Sequence, residues 1–336
     1  MSHARRFALL TLLLLLVAAA VRPARAAGAE PAVAPAAAAP AGSAAPKAPP
    51  AGGVPASPRT GGTPKTMADI LAASKPSDWR PLDPENTLYL ELSAGRVVIE
   101  LAPAFAPANV AQVRKLVRDK YFDGSSVIRV QDNYVVQWAR PETDERAKAM
   151  GTVKVKPEFF RKVEPGEVFT KLADPDTYAP EVGFSNGFAA ARDPKRGETW
   201  LTHCYGSVGV GRDNDSDSGN GAELYAVIGQ SPRHLDRNIT LIGRVVRGIE
   251  VFSVMPRGPG AMGFYDKPAD YIAIRSVRLA ADVPASERLA LEALRTDSPT
   301  FKSWIASRAT RKEPWFREPV GHIGVCNLPL PVRMKP

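Results

Sequence analysis

Residues 121–137, YFDGSSVIRVQDNYVVQ, constrain the fold more than any other stretch of the chain. A turn signal at Asp123-Gly124 opens it. Val127-Ile128-Arg129-Val130 follows, and after a polar break at Gln131-Asp132-Asn133 comes Tyr134-Val135-Val136-Gln137. Both runs are β-branched and aromatic, which predicts two strands or one bent strand. Arg129 stands out as a fixed cation between aliphatic neighbours. On an ordinary strand such an arginine faces solvent, because arginine is seldom buried. A plain surface arginine and a functional one are therefore both open on this stretch alone.

The flanks extend the β pattern. Residues 86–92 alternate apolar and polar, Ser93-Ala94-Gly95 turns, and residues 96–101 return, which predicts a hairpin. Pro107 sits where a first helical turn tolerates proline. Val110, Val113, Leu116 and Val117 then fall at helical spacing. Earlier, residues 67–74 read as a short helix ended by Lys75-Pro76. Later, residues 271–279 alternate as a final strand.

In register and without a gap, Tyr121, Asp123, Gly124, Arg129, Val130 and Gln137 match the signature of the cyclophilin family, whose usual form is YYDGxxFHRVIPGFMxQGGD. The stretch resembles that family, and the order of elements agrees. Glu100-Leu101 and Ala106-Pro107 stand at its I-x-L…A-P elements. Gly206-Ser207-Val208-Gly209-Val210-Gly211 aligns with G-x-L-S-M-A, and Gly221-Ala222-Glu223-Leu224-Tyr225-Ala226 with G-S-Q-F-F-I. His234-Leu235-Asp236 aligns with W-L-D, and residues 241–251 with V-F-G-x-V-x-x-G-x-x-V. The likeness covers roughly residues 86–280, apart from 139–205. Departures are Val127-Ile128 for Phe-His, Asp132-Asn133 for Pro-Gly, Trp138-Ala139 for Gly-Gly, His234 for Trp and Ile239 for a usual His.

The resemblance implies an all-β fold with capping helices: a closed eight-stranded antiparallel β-barrel and two helices. It implies a peptidyl-prolyl cis–trans isomerase with Arg129 as catalytic donor. Tyr134, Val135, Tyr225 and Leu235 match the proline pocket, and Gln137 matches a glutamine that orients the arginine. Glu223, Leu224 and His234 match neighbouring substrate-binding positions. For the apolar members, plain barrel core is the competing reading. Tyr225 in place of Phe adds a hydroxyl that needs a partner. The expected partners are proline-containing unfolded or flexible polypeptides. No cofactor is implied, because no covalent bond is made or lost. A rival function from another class is a cyclophilin-like peptide-binding chaperone or scaffold with little isomerase activity; retention of Arg129 and Gln137 favours the enzyme.

The remaining segments set context. Arg5-Arg6, an apolar run over residues 7–21 and small residues at Ala24 and Ala26 read as a secretory signal peptide over residues 1–26, with an uncleaved membrane anchor as the alternative. Export from a Gram-negative cell would mean the periplasm, with no stable membrane insertion after cleavage. Residues 27–66 are Ala, Pro and Gly, too poor in large apolar side chains to offset ordering entropy, and read as a disordered linker. The isomerase domain is expected over 67–280 with an insertion at about 139–205 that covers or extends the binding face. A helical, proline-containing tail over 281–336 is expected to pack on the barrel. Within it, Ser286 is placed as the cap of a helix to Leu294, a second helix runs over 301–307, and Pro314, Pro319, Pro329 and Pro331 argue against regular structure beyond.

Formal charge is +9, but Arg5, Arg6, Arg22 and Arg25 precede the first acid, Glu30, leaving +5 after residue 26. With no block of like charge, nothing favours nucleic acid. Cys204 and Cys326 either pair in an oxidising compartment or remain free. The four histidines show no metal-ligand spacing. Asp213, Asp215 and Asp217 have calcium-loop spacing. However, Ser218 stands at the position requiring Gly and Leu224 at the position requiring Glu, so an acidic surface loop is expected and no metal.

Overall fold

The structure, a computed structural model, describes residues 65–313 and 315–336. The expected signal peptide over 1–26 and almost all of the expected 27–66 linker lie outside the described residues. In chain order the elements are α1 (Met67–Ala72), β1 (Trp79–Pro81), β2 (Thr87–Leu92), β3 (Gly95–Leu101), α2 (Pro107–Arg118), β4 (Ser126–Val130) and β5 (Val135–Ala139). Next come α3 (Glu145–Met150), β6 (Arg161–Lys162), β7 (Thr170–Lys171), β8 (Glu181–Ser185), β9 (Phe188–Asp193) and β10 (Glu198–Leu201). The chain continues with β11 (Ser207–Val210), β12 (Leu224–Val227), β13 (Leu241–Arg247), α4 (Ile249–Ser253) and β14 (Ile272–Leu279). It finishes with β15 (Leu291–Leu294), α5 (Pro299–Thr310) and β16 (Val332–Met334).

Eight strands close into an antiparallel barrel in the order β11-β12-β5-β4-β14-β2-β3-β13. Closure leaves no unpaired edge. The period-two pattern decides which residues face inward. Leu88, Leu90 and Leu92 of β2 and Val97, Ile99 and Leu101 of β3 fill the barrel, while Tyr89 and Val98 point outward. Helix α2 turns Val110, Val113, Leu116 and Val117 into the same core. From α4, Phe252 stacks on Trp138 at 5.6 Å. Each such buried side chain contributes about 1.5–3 kcal/mol.

Residues 139–205 hold a second sheet, ordered β6-β10-β9-β8-β7. Its hairpin β8–β9 turns at Asn186-Gly187, where φ is 52° and 85°. Two positive φ values suit a two-residue hairpin loop, and Asn-Gly adopts them at little cost. One face of this sheet, with Phe188, Ala190 and Leu201, packs on Tyr225, Val227 and Leu241 of the barrel wall. The opposite face, with Val182, Phe184, Ala191 and Trp200, packs on Phe301, Trp304, Val325 and Leu328 of the tail. The insertion is a filled layer between barrel and tail. Glu158, between α3 and β6, accepts from the Ala108 and Asn109 amides at 3.0 and 2.9 Å. Its carboxylate caps the N-terminus of α2, the end where the helix dipole favours negative charge.

The tail differs from expectation in two places. Residues 291–294 form a strand, not the end of a helix from Ser286, and β16 follows Pro331 directly. Tertiary pairing overrides local propensity here: β15 sits between β1 and β16. Leu291 and Ala293 pack on Tyr89 and Val98, while Leu294 joins the insertion core. Pro331 is tolerated because β16 is an edge strand. Cys204 and Cys326 are disulfide-bonded, tying the tail to the last turn before β11.

Candidate active site

A bulge in β4 aims the central arginine. Val127 pairs with Trp138 and Arg129 with Gln137, so Ile128 is the extra residue. Val127 and Val130 stay in the barrel core, and Arg129 turns out onto the wall. Its guanidinium donates from Nε to the Met262 carbonyl at 2.7 Å and from Nη1 to Gln137 Oε1 at 2.8 Å, and Nη2 donates to Gln131 Oε1. It lies 5.1 Å from the Phe264 ring centre and 5.6 Å from that of Tyr134. Met262 and Phe264 come from a loop alongside β4, pinned by Gly258 N to Val130 O and Tyr265 N to Ile128 O, both 3.0 Å.

Next to Arg129 is a hollow of about 140 Å³ lined by Tyr134, Val135, Gln137, Gly211, Arg212, Glu223, Tyr225, Leu235 and Ile239. Larger hollows of 530 and 390 Å³ lie elsewhere, between insertion and tail or barrel, so size does not single out the site. A neighbouring depression of 370 Å³ shares Gly211, Arg212 and Glu223 with it.

Strand β11 makes the room. Its valines, Val208 and Val210, point inward, and Gly209 and the following Gly211 occupy the outward positions. A methyl at Gly209 would lie 2.2 Å from the Tyr225 hydroxyl, and one at Gly211 2.9 Å from the Glu223 side chain. Those two glycines let Tyr225 of β12 and the preceding Glu223 lie across β11.

Glu223 accepts from the Gln137 amide, so Arg129, Gln137 and Glu223 form one hydrogen-bonded row. Burial pushes the Glu223 carboxyl above its ordinary value, against the Gln137 hydrogen bond. Burial also draws the Arg129 guanidinium below its ordinary value, opposed by Tyr134 and Glu223. An arginine remains charged in such surroundings.

The structure brings together Arg129, Tyr134, Val135, Gln137, Glu223, Tyr225 and Leu235. Two further positions go elsewhere. Leu224 is 2% exposed and belongs to the barrel core, because its neighbour Tyr225 takes the outward side of β12. His234 is exposed and absent from the hollow, because the turn at Arg233–Leu235 sends Arg233 inward and Leu235 to the hollow. Sequence reasoning missed Gln131, Met262 and Phe264, which hold Arg129, and Gly211 and Arg212. Only Gln131, two residues from Arg129, carried a local signal. Asp215 and Asp217 of the 213–219 loop pair with Lys154, at 3.7 and 3.1 Å.

A closed antiparallel barrel with an outward, triply bonded arginine beside a small aromatic and aliphatic hollow defines a cyclophilin-like protein. Residues 87–279 match the family described as cyclophilin type peptidyl-prolyl cis-trans isomerase/CLD, and the chain belongs to that family of isomerases. Among curated relatives, the probable peptidyl-prolyl cis-trans isomerases of Brucella suis and Brucella abortus are each 26% identical over 179 residues, 53% of this chain and 76% of theirs. The crystal structure of cyclophilin AquaCyp293 from Hirschia baltica is 27% identical, covering 81% of this chain and 99% of that one, with a TM-score of 0.62. That coverage exceeds the span of the family match, so the likeness reaches beyond the barrel strands.

Proposed function

We propose that Arg129 catalyses X–Pro rotation in exported polypeptides, with the adjoining hollow holding the proline ring. The barrier is about 18–20 kcal/mol because amide resonance must be broken. A donor that stabilises the twisted amide lowers it without any bond being made. Three of the five guanidinium N–H groups are committed to Met262, Gln137 and Gln131. The remaining two are available to a bound peptide. Because the arginine is already fixed, it need not reorganise as the amide twists. A reduction of about 5 kcal/mol would give several thousand-fold acceleration.

The observation that carries this reading is the fixed arginine at the mouth of a hollow that Tyr134, Val135, Tyr225, Leu235 and Ile239 line with apolar surface. The test is magnetisation-exchange NMR on a short X–Pro peptide with the wild type and Arg129→Ala. Acceleration that collapses in a folded Arg129→Ala supports the mechanism, and equal acceleration by both refutes it. No acceleration by either turns the reading to peptide holding.

The export reading rests on residues 1–26, and a disulfide between Cys204 and Cys326 suits an oxidising compartment. Expression of the full chain in a Gram-negative host tests it. Periplasmic protein beginning at Ala27 is expected, and cytoplasmic protein retaining Met1 would refute export.

A further inference from the structure

We infer that His203 is a positioning residue for the proline pocket, and that the insertion, through His203 and Asp176, fixes the pocket wall made by Tyr225. This rests on the reading of the hollow as the proline site. Tyr225 lines that hollow with its ring. Its hydroxyl points away and lies 3.0 Å from His203 Nε2. The two rings are nearly parallel, with planes 7° apart and centres 6.3 Å apart. His203 is 0% exposed and lies between β10, the last strand of the insertion, and β11.

Every polar atom on that path has a partner. His203 Nδ1 and its backbone amide both lie 2.9 Å from Asp236 Oδ1. Asp236 Oδ2 accepts from Arg233 Nε at 2.5 Å, and Arg233 grips Asp176 through two bonds of 3.0 Å. Asp176 lies between β7 and β8 of the insertion sheet. A carboxylate can only accept, so the Nδ1 proton faces Asp236 and Nε2 accepts from Tyr225. Burial holds the imidazole below its ordinary value, with Asp236 opposing, which fits a neutral ring that can accept. The row of Tyr225, His203, Asp236, Arg233 and Asp176 joins the pocket to the far side of the insertion.

A phenylalanine at residue 225 would require none of this. The tyrosine requires the space above Gly209 and a buried acceptor, and the chain supplies both. His203 is itself pinned, because the next residue, Cys204, is bonded to Cys326 and donates its amide to Ser207 Oγ at 3.1 Å. A fixed hydroxyl fixes the ring, and the ring is a face of the proline seat.

The test uses the full chain with Tyr225→Phe, His203→Leu, His203→Gln and the Tyr225→Phe/His203→Leu double variant. An unmade buried hydrogen bond corresponds to about a tenfold effect. We expect each of Tyr225→Phe and His203→Leu to raise KM about tenfold with kcat little changed. The double variant should be no worse than either single one. His203→Gln, whose side-chain carbonyl can accept from the hydroxyl, should recover part of the loss. A folded His203→Leu with unchanged KM, or losses that multiply in the double variant, would overturn the inference.

A second measurement covers variants that do not fold and is independent of turnover. Long-range ¹H–¹⁵N spectra of the wild type should show His203 neutral with its proton on Nδ1. They should also show peptide binding shifting the Tyr225 ring resonances. A proton on Nε2, or Tyr225 resonances blind to bound peptide, would overturn it. A wild type that binds peptide without isomerising it refutes the catalytic reading alone and leaves this one to the spectra.

Discussion

Arg129 and Gln137 are direct cross-strand partners, joined by a 2.8 Å hydrogen bond that exists because Ile128 bulges out of register. Gln137 in turn donates to Glu223, so the arginine is oriented from one side by a row of side chains and from the other by the Met262 carbonyl. A planar fork is needed to satisfy these partners and still present donors. Arg129→Lys keeps the charge and loses the fork. We expect it to lower kcat/KM by about a hundredfold, the scale of losing one preorganised donor. Peptide affinity should change less than threefold. NMR exchange rates and a peptide titration check both.

Glu223 stands where the family has glutamine. Its carboxyl is raised above the ordinary value, first by burial. The folded state therefore binds this proton more tightly than the unfolded state. The linkage sign follows: stability is lost as pH rises from about 4.3, the unfolded carboxyl value, through the raised folded one. Glu223→Gln removes that loss. The variant should melt above the wild type at pH 7 and close to it at pH 4. Thermal denaturation at the two pH values is decisive, and a lower melting point at pH 7 would contradict the sign.

Much of the barrel was legible because its signals are local. Alternation over β2 and β3, the helical spacing of α2 and the Arg129–Gln137 register all lie within one element or one hairpin. The insertion was less legible although Asn186-Gly187, the strongest short hairpin signal, sat inside it. Charged and proline-rich flanks masked the two strands. Strand β15 was read as helix because its partners, β1 and β16, lie more than 200 residues upstream and 40 downstream. The need of the Tyr225 hydroxyl for a partner was legible, but the partner was not. His203 precedes it by 22 residues and Asp236 follows His203 by 33, a spacing that no periodicity marks. Leu224 and His234 lie outside the hollow for a simpler reason: alignment gives a position, and the side of a strand or turn decides where that position points.

The disulfide closes a separation of 122 residues. Chain-entropy arguments give about 4.7 kcal/mol for a 100-residue loop, with typical losses of about 2–4 kcal/mol. Cys326→Ser should fall in that range by denaturant unfolding. Wild type in reductant should approach the variant, and an unchanged midpoint would mean that the tail is held by packing alone.

Phe301 and Trp315 separate tail residues that build the core from those that do not. Phe301 is 0% exposed and meets Phe184 of the insertion edge-to-face at 5.1 Å, whereas Trp315 is 81% exposed. Truncating a buried phenylalanine costs about 3–5 kcal/mol through lost transfer energy and the cavity left behind. A surface substitution stays within about 0.5 kcal/mol. Phe301→Ala should therefore unfold at much lower denaturant, and Trp315→Ala should match wild type. The shape of the Phe301→Ala transition carries further information. The insertion sheet packs one face on the tail and the other on the wall that carries Tyr225, so loss of the tail core should propagate to the pocket. A single transition, with peptide binding lost at the same midpoint, is the expected result. Two separated transitions, with binding surviving the first, would show that the barrel holds its proline site without the layer laid over it.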